Sequence, residues 1–280
     1  MIGVFDSGSG GLTVGRALTR RLPHLPFVYL GDHAHAPYGV KSAQDVLALT
    51  IQNVERLFAQ GCALVLLACN TASAVALRRL QQEWLPGAYP DRRVLGVLVP
   101  LVEAITEVPW HVKAPVATPG RLPKTVGIFA TASTVASNAY PFEIGLRAHD
   151  IKVVQQSCAG LVDLIEDGAD KDDIQRLVTS CVEKLLAQLD GGAPDAVVLG
   201  CTHYPLVADA FAAALPQGID VLAQPEIVAE SFADYLARRP RFASDKSSAT
   251  RFLTTGDPTK VNQTASRFFG AEISFEGLEE

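Results

Sequence analysis

Charge is scarce in this sequence. Of its 280 residues only 19% are Asp, Glu, Lys or Arg, and the formal net charge is −6. No block of clustered Lys and Arg is present, so binding to nucleic acid is not expected. No apolar stretch approaches the roughly 20 residues of a membrane-spanning helix, so no membrane association is expected either. The five cysteines (Cys62, Cys69, Cys158, Cys181 and Cys201) are odd in number and form no CxxC pair. That speaks against a disulfide framework and for a reducing compartment. Met1–Asp6 has neither the basic nor the apolar region of a secretory signal, and the expected location is the cytoplasm. The phosphate-loop pattern GxxxxGK[ST] is missing, as is a GxGxxG with an acid at the right distance. His33 and His35 have no third ligand near them in sequence, so no metal site is expected. What the chain has in quantity is apolar residues, 48% of the total, enough for one large or two modest packed domains.

Its most informative stretch is Ala196–Pro205. A strand-length apolar run stops at Gly200, and Cys201, Thr202, His203 and Tyr204 follow at once. Buried parallel strands read as continuous Val/Leu runs. In open α/β sheets, ligands lie off the carboxyl ends of such strands. A second copy lies upstream, where Ala63–Ala68 runs into Cys69, Asn70, Thr71, Ala72 and Ser73. Each copy places a thiol where a small ligand would be met.

The rest of the chain repeats strand, loop and helix. Strands are predicted at Ile2–Phe5, Phe27–Asp32, Val94–Val97, Val126–Ala130 and Ile151–Val154. Helices are predicted over Leu12–Leu22, Ser42–Gln60, from Asn70 or Thr71 to about Trp84, over Leu161–Asp167 and over Asp172–Leu189. Pro109–Pro123 reads as a surface excursion and Ser244–Ser248 as a polar loop. Further helices at Leu206–Leu215 and Glu226–Arg238, short strands at Val221–Leu222 and Arg251–Thr255, and a last helix around Phe268–Phe269 complete the pattern. This is an α/β fold with mostly parallel sheets flanked by helices. Ile2–Ser7 also parallels Val126–Thr131, and the strand ending at Cys69 parallels the one ending at Cys201. Two similar, pseudo-symmetric lobes are therefore expected, with the site in the cleft between them. Residues 1–98 with 208–280 form the expected first lobe, carrying Asp6 and Cys69. Residues 99–207 form the second, carrying Thr131, Cys201 and His203.

One thiol alone would suggest a nucleophile. Two thiols facing one carbon suggest that one removes a proton from a stereocentre and the other returns a proton to the opposite face. Asp6 is the candidate partner of Cys69, and His203 that of Cys201.

Asp6-Ser7-Gly8 with Gly10-Gly11, Gly31-Asp32 with Ala36-Pro37-Tyr38-Gly39, Cys69 to Ser73, Gly200 to Pro205 and Leu253 to Pro258 resemble the signature blocks of the glutamate racemases, within the aspartate/glutamate racemase superfamily. The resemblance spans nearly the whole chain. It implies interconversion of L- and D-glutamate without a cofactor, a supply of D-glutamate for peptidoglycan, and a homodimer. By the same resemblance Cys69 and Cys201 are the acid/base pair, assisted by Asp6 and His203. Asp6, Ser7, Tyr38, Gly39, Asn70, Thr71, Thr131, Thr134, Thr202 and His203 would contact substrate, and Glu166 would be a supporting acid. The chain departs from the family at His33 and His35, which replace Thr and a basic residue, at Cys158–Asp163, at Ala132, and in the Pro109–Pro123 stretch.

Rival readings make different demands. An aspartate racemase would use the same chemistry and is separated by substrate comparison. A decarboxylase on a similar scaffold needs only one essential thiol. A hydrolase using Cys201 and His203 leaves Cys69 without a task. A two-lobed binding protein for a small anion predicts a secretory signal and gives no reason for matched thiols.

Overall fold

The computed structural model describes residues 1–109, 112, 124–243 and 249–278; most of the Pro109–Pro123 excursion and the Ser244–Ser248 loop lie outside them. Ten strands are described: β1 (Ile2–Asp6), β2 (Phe27–Gly31), β3 (Leu64–Leu67), β4 (Arg93–Gly96), β5 (Lys124–Ala130), β6 (Ile151–Ser157), β7 (Ala196–Gly200), β8 (Asp220–Leu222), β9 (Arg251–Thr254) and β10 (Phe275–Gly277). They form a six-stranded sheet, β10-β9-β2-β1-β3-β4, and a four-stranded sheet, β6-β5-β7-β8. Every pairing is parallel. Runs such as Ile2–Asp6, Leu64–Leu67 and Val197–Gly200 are buried along their whole length, as strands covered by helices on both faces must be.

The pseudo-symmetry is visible in strand order. β2-β1-β3-β4 in the first sheet matches β6-β5-β7-β8 in the second. β1 and β5 are the central strands, and the chain leaves them at Asp6-Ser7 and Ala130-Thr131. β3 and β7 lie beside them and lead to Cys69 and Cys201. The two thiols thus occupy equivalent places at the carboxyl ends of equivalent strands.

β8 departs from expectation. The sequence reading gives residues 208–280 to the first lobe, but Asp220–Leu222 pairs with β7 in the second sheet. The helix Ala208–Ala214 packs on Lys171–Leu186 of the second lobe as well. By sheet membership the second unit extends through Leu222, because the helix Ala208–Ala214 packs on that lobe and returns the chain to the edge of β7. The first sheet gains β10, which the sequence reading did not anticipate.

The helix Ala43–Ala59 is started by Ser42, whose Oγ accepts from the Asp45 N–H at 3.1 Å. Val46, Val54, Leu57 and Phe58 are buried on its inner face, Leu49 is partly buried, and Thr50 and Asn53 are buried in addition. Asn53 belongs to a polar network described below. The helix after Cys69 is interrupted at Ala76 and continues in short segments to Ala88. No helix among the described residues is long and apolar enough to cross a membrane.

A single apolar cluster runs through both lobes, from Ile2, Val4, Leu12 and Tyr29 to Phe129, Val197, Leu199 and Phe211. The helix Gln224–Ala237 bridges them: Val228 and Phe232 enter this cluster, and the helix packs against Leu12–Arg21, Leu98–Thr106 and β7. At its start Gln224 forms a buried polar strut. Asn70 Nδ2 donates to Gln224 Oε1 at 2.7 Å, and Gln224 Nε2 donates back to Asn70 Oδ1 at 3.0 Å. The Tyr140 hydroxyl, from the second lobe, donates to the same Asn70 Oδ1 at 3.0 Å.

Buried polar groups are costly to leave unpaired. Gln224→Met, which keeps volume and removes both bonds, is expected to lower stability by about 1–3 kcal/mol. Tyr140→Phe leaves Asn70 Oδ1 bonded to Gln224 and is expected to cost less, about 1 kcal/mol. Urea unfolding midpoints of the two variants check the order.

Candidate active site

The carboxyl ends of both sheets open on one cavity of about 280 Å³ between the lobes. Lobe one contributes Ser7, Gly8, His33, Tyr38, Gly39, Cys69, Asn70 and Thr71 to its wall; lobe two contributes Thr131, Cys158, Glu166, Cys201, Thr202 and His203. No lysine or arginine is among its described lining residues. Of the residues expected from sequence, only Asp6 and Thr134 stand behind the wall. Both are fully buried.

Cys69 ends the β3 connection and caps the helix that follows. The Ala72 N–H donates to its sulfur at 3.4 Å, and its thiol donates to Ser7 Oγ at 3.5 Å. Burial, reinforced by the nearby Asp6 charge, pushes the Cys69 thiol up to about 12, so it is protonated at neutral pH. Its direct hydrogen-bond neighbour is Ser7 rather than Asp6. The Asp6 carboxylate accepts from the Gly8 N–H at 3.0 Å and from the Thr202 hydroxyl, in the opposite lobe, at 3.4 Å.

Cys201 has a different neighbour. His203 Nδ1 lies 3.8 Å from its sulfur, and His203 Nε2 lies 2.6 Å from Glu166 Oε1. Burial alone would lower the imidazole, but the hydrogen bonds to Cys201 and Glu166 outweigh it and raise His203 to about 10. Burial likewise works against the Glu166 carboxylate, yet its bond to His203 holds it below the usual carboxylate range. Cys201, His203 and Glu166 therefore form a chain with a cationic imidazole at its centre, able to take or supply a proton at the sulfur.

The two sides meet through a glycine loop. A Cβ on Gly10 would lie 2.4 Å from Thr202 Oγ1 and 2.5 Å from His203 Nδ1, so only glycine allows this approach. Thr13, one turn further on, donates to the Gly10 carbonyl at 2.9 Å and to the Thr202 carbonyl at 3.1 Å. The loop is thereby fastened to the opposite lobe. Across the cavity the hydroxyl of Thr71 lies 3.0 Å from that of Thr131 and 3.3 Å from that of Thr134.

Several side chains are committed elsewhere. The Tyr38 hydroxyl donates to Asp32 Oδ2 at 2.6 Å, leaving its ring toward the cavity. The amide of Asn70 is spent on the Gln224 strut. Asp32 also accepts from Asn53 Nδ2, Thr255 Oγ1 and the ring of His35. It anchors the loop carrying Tyr38 and Gly39. His33 lies between Ser9 Oγ at 3.1 Å and Thr254 Oγ1 at 2.8 Å, so both ring nitrogens serve as struts. Among the described residues no group of three or more His, Cys, Asp or Glu is placed to hold a metal ion. Cys158 is buried but also lines the cavity, with Cys181 as its hydrogen-bond partner.

Fold and site together define a two-lobed α/β enzyme with paired thiols in the interlobe cleft. The chain belongs to the Asp/Glu/hydantoin racemase family, whose model matches residues 12–231. It is 51% identical over 276 residues to the glutamate racemase of Cereibacter sphaeroides, covering 98% of each chain. A crystal structure of a glutamate racemase isoform from Bacillus anthracis superposes with a TM-score of 0.83 at 29% identity, covering 100% of this chain and 97% of that one. The Francisella tularensis glutamate racemase, solved in complex with D-glutamate, gives a TM-score of 0.83 at 27% identity over 99% and 97% of the two chains.

Burial raises Asp6 from an ordinary 3.8 to about 6, against the opposing pull of His203 and of the Gly8 and Gly11 N–H groups. A buried carboxyl that binds its proton more tightly when folded adds stability at low pH, and the advantage is lost as pH rises through about 6. Asp6→Asn removes the cost of the charge. At pH 8 it is expected to gain up to about 3 kcal/mol over the parent, an advantage that vanishes near pH 4. Thermal unfolding of both proteins across that range checks the sign.

Proposed function

We propose that this chain interconverts L- and D-glutamate by proton abstraction and return at the α-carbon, with Cys69 and Cys201 as the two acid/base groups. The observation that carries the reading is one buried thiol from each lobe on the wall of a single cavity. The identity to glutamate racemases supports the substrate.

The two thiols have unequal neighbours. Cys69 is a protonated acid whose hydrogen points at Ser7 Oγ. Cys201 faces a cationic imidazole backed by a carboxylate. In one direction the Cys201 sulfur takes the α-proton while Cys69 delivers its own to the other face, and in the other direction the roles reverse. The α-carbon is a weak acid without an electron sink. Its ionisation therefore requires donors on the substrate carboxylate, and the hydroxyls of Thr71 and Thr131 are available for this, while that of Thr202 is held by Asp6. Ser7 and the Tyr38-Gly39 loop complete the substrate wall, with Thr134 behind it. Asp6 and His203 set charge around the thiols. Asn70 acts through its strut. The wider role is a supply of D-glutamate for peptidoglycan, in the cytoplasm, by a homodimer; this rests on the family resemblance.

Circular dichroism of L-glutamate and, separately, L-aspartate with the protein and no added cofactor tests the substrate. Loss of the glutamate signal to zero is expected, with aspartate slower by at least tenfold. Cys69→Ser and Cys201→Ser are each expected to lower racemisation by 10³-fold or more, because a serine hydroxyl is a far weaker base. Full turnover by either variant would contradict the two-thiol scheme.

A further inference from the structure

The Cys201–His203–Glu166 chain depends on where the helix Leu161–Asp167 sits, since that helix alone carries Glu166. Leu161 and Ile165 pack one face of it into the core, against the helix Lys171–Leu186. Its carboxyl end, which carries Glu166, is gripped from the other lobe, by the helix Pro258–Phe269. Arg267 Nη2 donates to the carbonyl of Ile165 at 2.8 Å and to that of Glu166 at 2.9 Å. These are carbonyls of the last turn of the Glu166 helix, where intrahelical donors become few; that of Ile165 also takes the Gly168 N–H at 3.3 Å. A cation on them is favoured by the helix dipole as well.

Two further observations show that the contact is built. The Glu166 helix ends at Gly168, with φ of +68°, and a Cβ there would lie 2.6 Å from Arg267 Nη1. Glycine leaves the room the guanidinium occupies. The guanidinium also lies over the ring of Phe268, 5.1 Å from its centroid, and Phe268 meets His203 edge to face at 5.7 Å. Two adjacent residues of one helix thus touch the two supports of the Cys201 sulfur. One grips the backbone that holds Glu166, and the other flanks the imidazole.

We infer that Arg267 is a positioning residue for the acid/base chemistry: by binding the carbonyls of Ile165 and Glu166 across the interlobe boundary, it holds the Glu166 carboxylate against His203 and so holds His203 against Cys201. This rests on the glutamate racemase reading for its effect on turnover. Its effect on His203 stands apart from that reading. Lysine cannot replace the arginine fully, because an ammonium does not present the planar fork that meets two carbonyls at once.

The test uses Arg267→Ala and Arg267→Lys in the full-length chain, with two readouts. The first is the ring titration of His203, followed by NMR without substrate. The second is the pH profile of kcat and KM for L-glutamate. In Arg267→Ala the His203 midpoint is expected to fall from about 10 by at least one pH unit. Its kcat is expected to fall tenfold or more, with KM within about threefold, and the alkaline limb should move down with the imidazole. Arg267→Lys should recover part of each change. An Arg267→Ala protein that loses only thermal stability, with the His203 midpoint and the pH profile unmoved, would overturn the inference. If that variant does not fold, Gly168→Ala crowds the guanidinium without removing it, and an unchanged His203 titration there would overturn the inference equally. A parent protein that fails to racemise glutamate would reject the function and leave the NMR result to judge Arg267.

Discussion

A charged imidazole buried between two lobes is the constraint on which the site depends. Burying an ion is expensive unless its partners are in place. His203 meets that demand with Glu166 on one ring nitrogen and Cys201 on the other. The glycine loop of the first lobe then closes over it, and the Phe268 ring flanks it. Each of these contacts comes from a different segment of chain. The ion pair itself lies within the second lobe, but the glycine loop and Phe268 that enclose it come from the first, so the interlobe packing and the chemistry are one problem. The Asn70–Gln224–Tyr140 strut and the Thr13 bonds serve the same end with neutral groups.

The sheets are nearly symmetric, yet the neighbours of the two thiols are not. Matching strand orders deliver Cys69 and Cys201 to equivalent positions. Their surroundings then separate them. Cys69 sits in apolar burial with a carboxylate nearby, a setting that keeps the proton on sulfur. Cys201 sits against an imidazole, a setting that lets a proton move. A reaction needing one acid and one base on opposite faces of a carbon requires that inequality. Duplicated architecture places the thiols, and the residues next to them in sequence differentiate them. His203 has no counterpart at the matching position of the first copy, where Thr71 stands two residues after Cys69.

Much of this was legible in the sequence, and the reason is local. A buried strand, its stop and the side chains after it are read from ten consecutive residues, as in Ala196–Pro205. The parallel α/β class follows from repeating that unit. What escaped the sequence is contact between distant segments. Arg267, Gln224 and Tyr140 carry no local signal, because each acts on a group far away in the chain. Tyr38 was legible as part of the site, but not the fact that Asp32 takes its hydroxyl. Asn53 faces inward from a helix whose apolar period gives no place to an amide, and only the Asp32 network explains it. Cys158 gave no sign of lining the cavity, because a buried thiol and a cavity-lining thiol have the same sequence neighbourhood. β8 was assigned to the wrong sheet because three residues carry too little pattern to choose a partner.

The central claim is that two different groups handle the proton, one on each face. Early-time conversion of L-glutamate in deuterium oxide, with both enantiomers separated and weighed by mass spectrometry, tests it most directly. The account predicts that newly formed D-glutamate carries deuterium at the α-carbon from the first per cent of turnover, while recovered L-glutamate stays protonated. Product that retains the original hydrogen, or equal labelling of substrate and product at early times, would mean that one group serves both faces and would contradict the account.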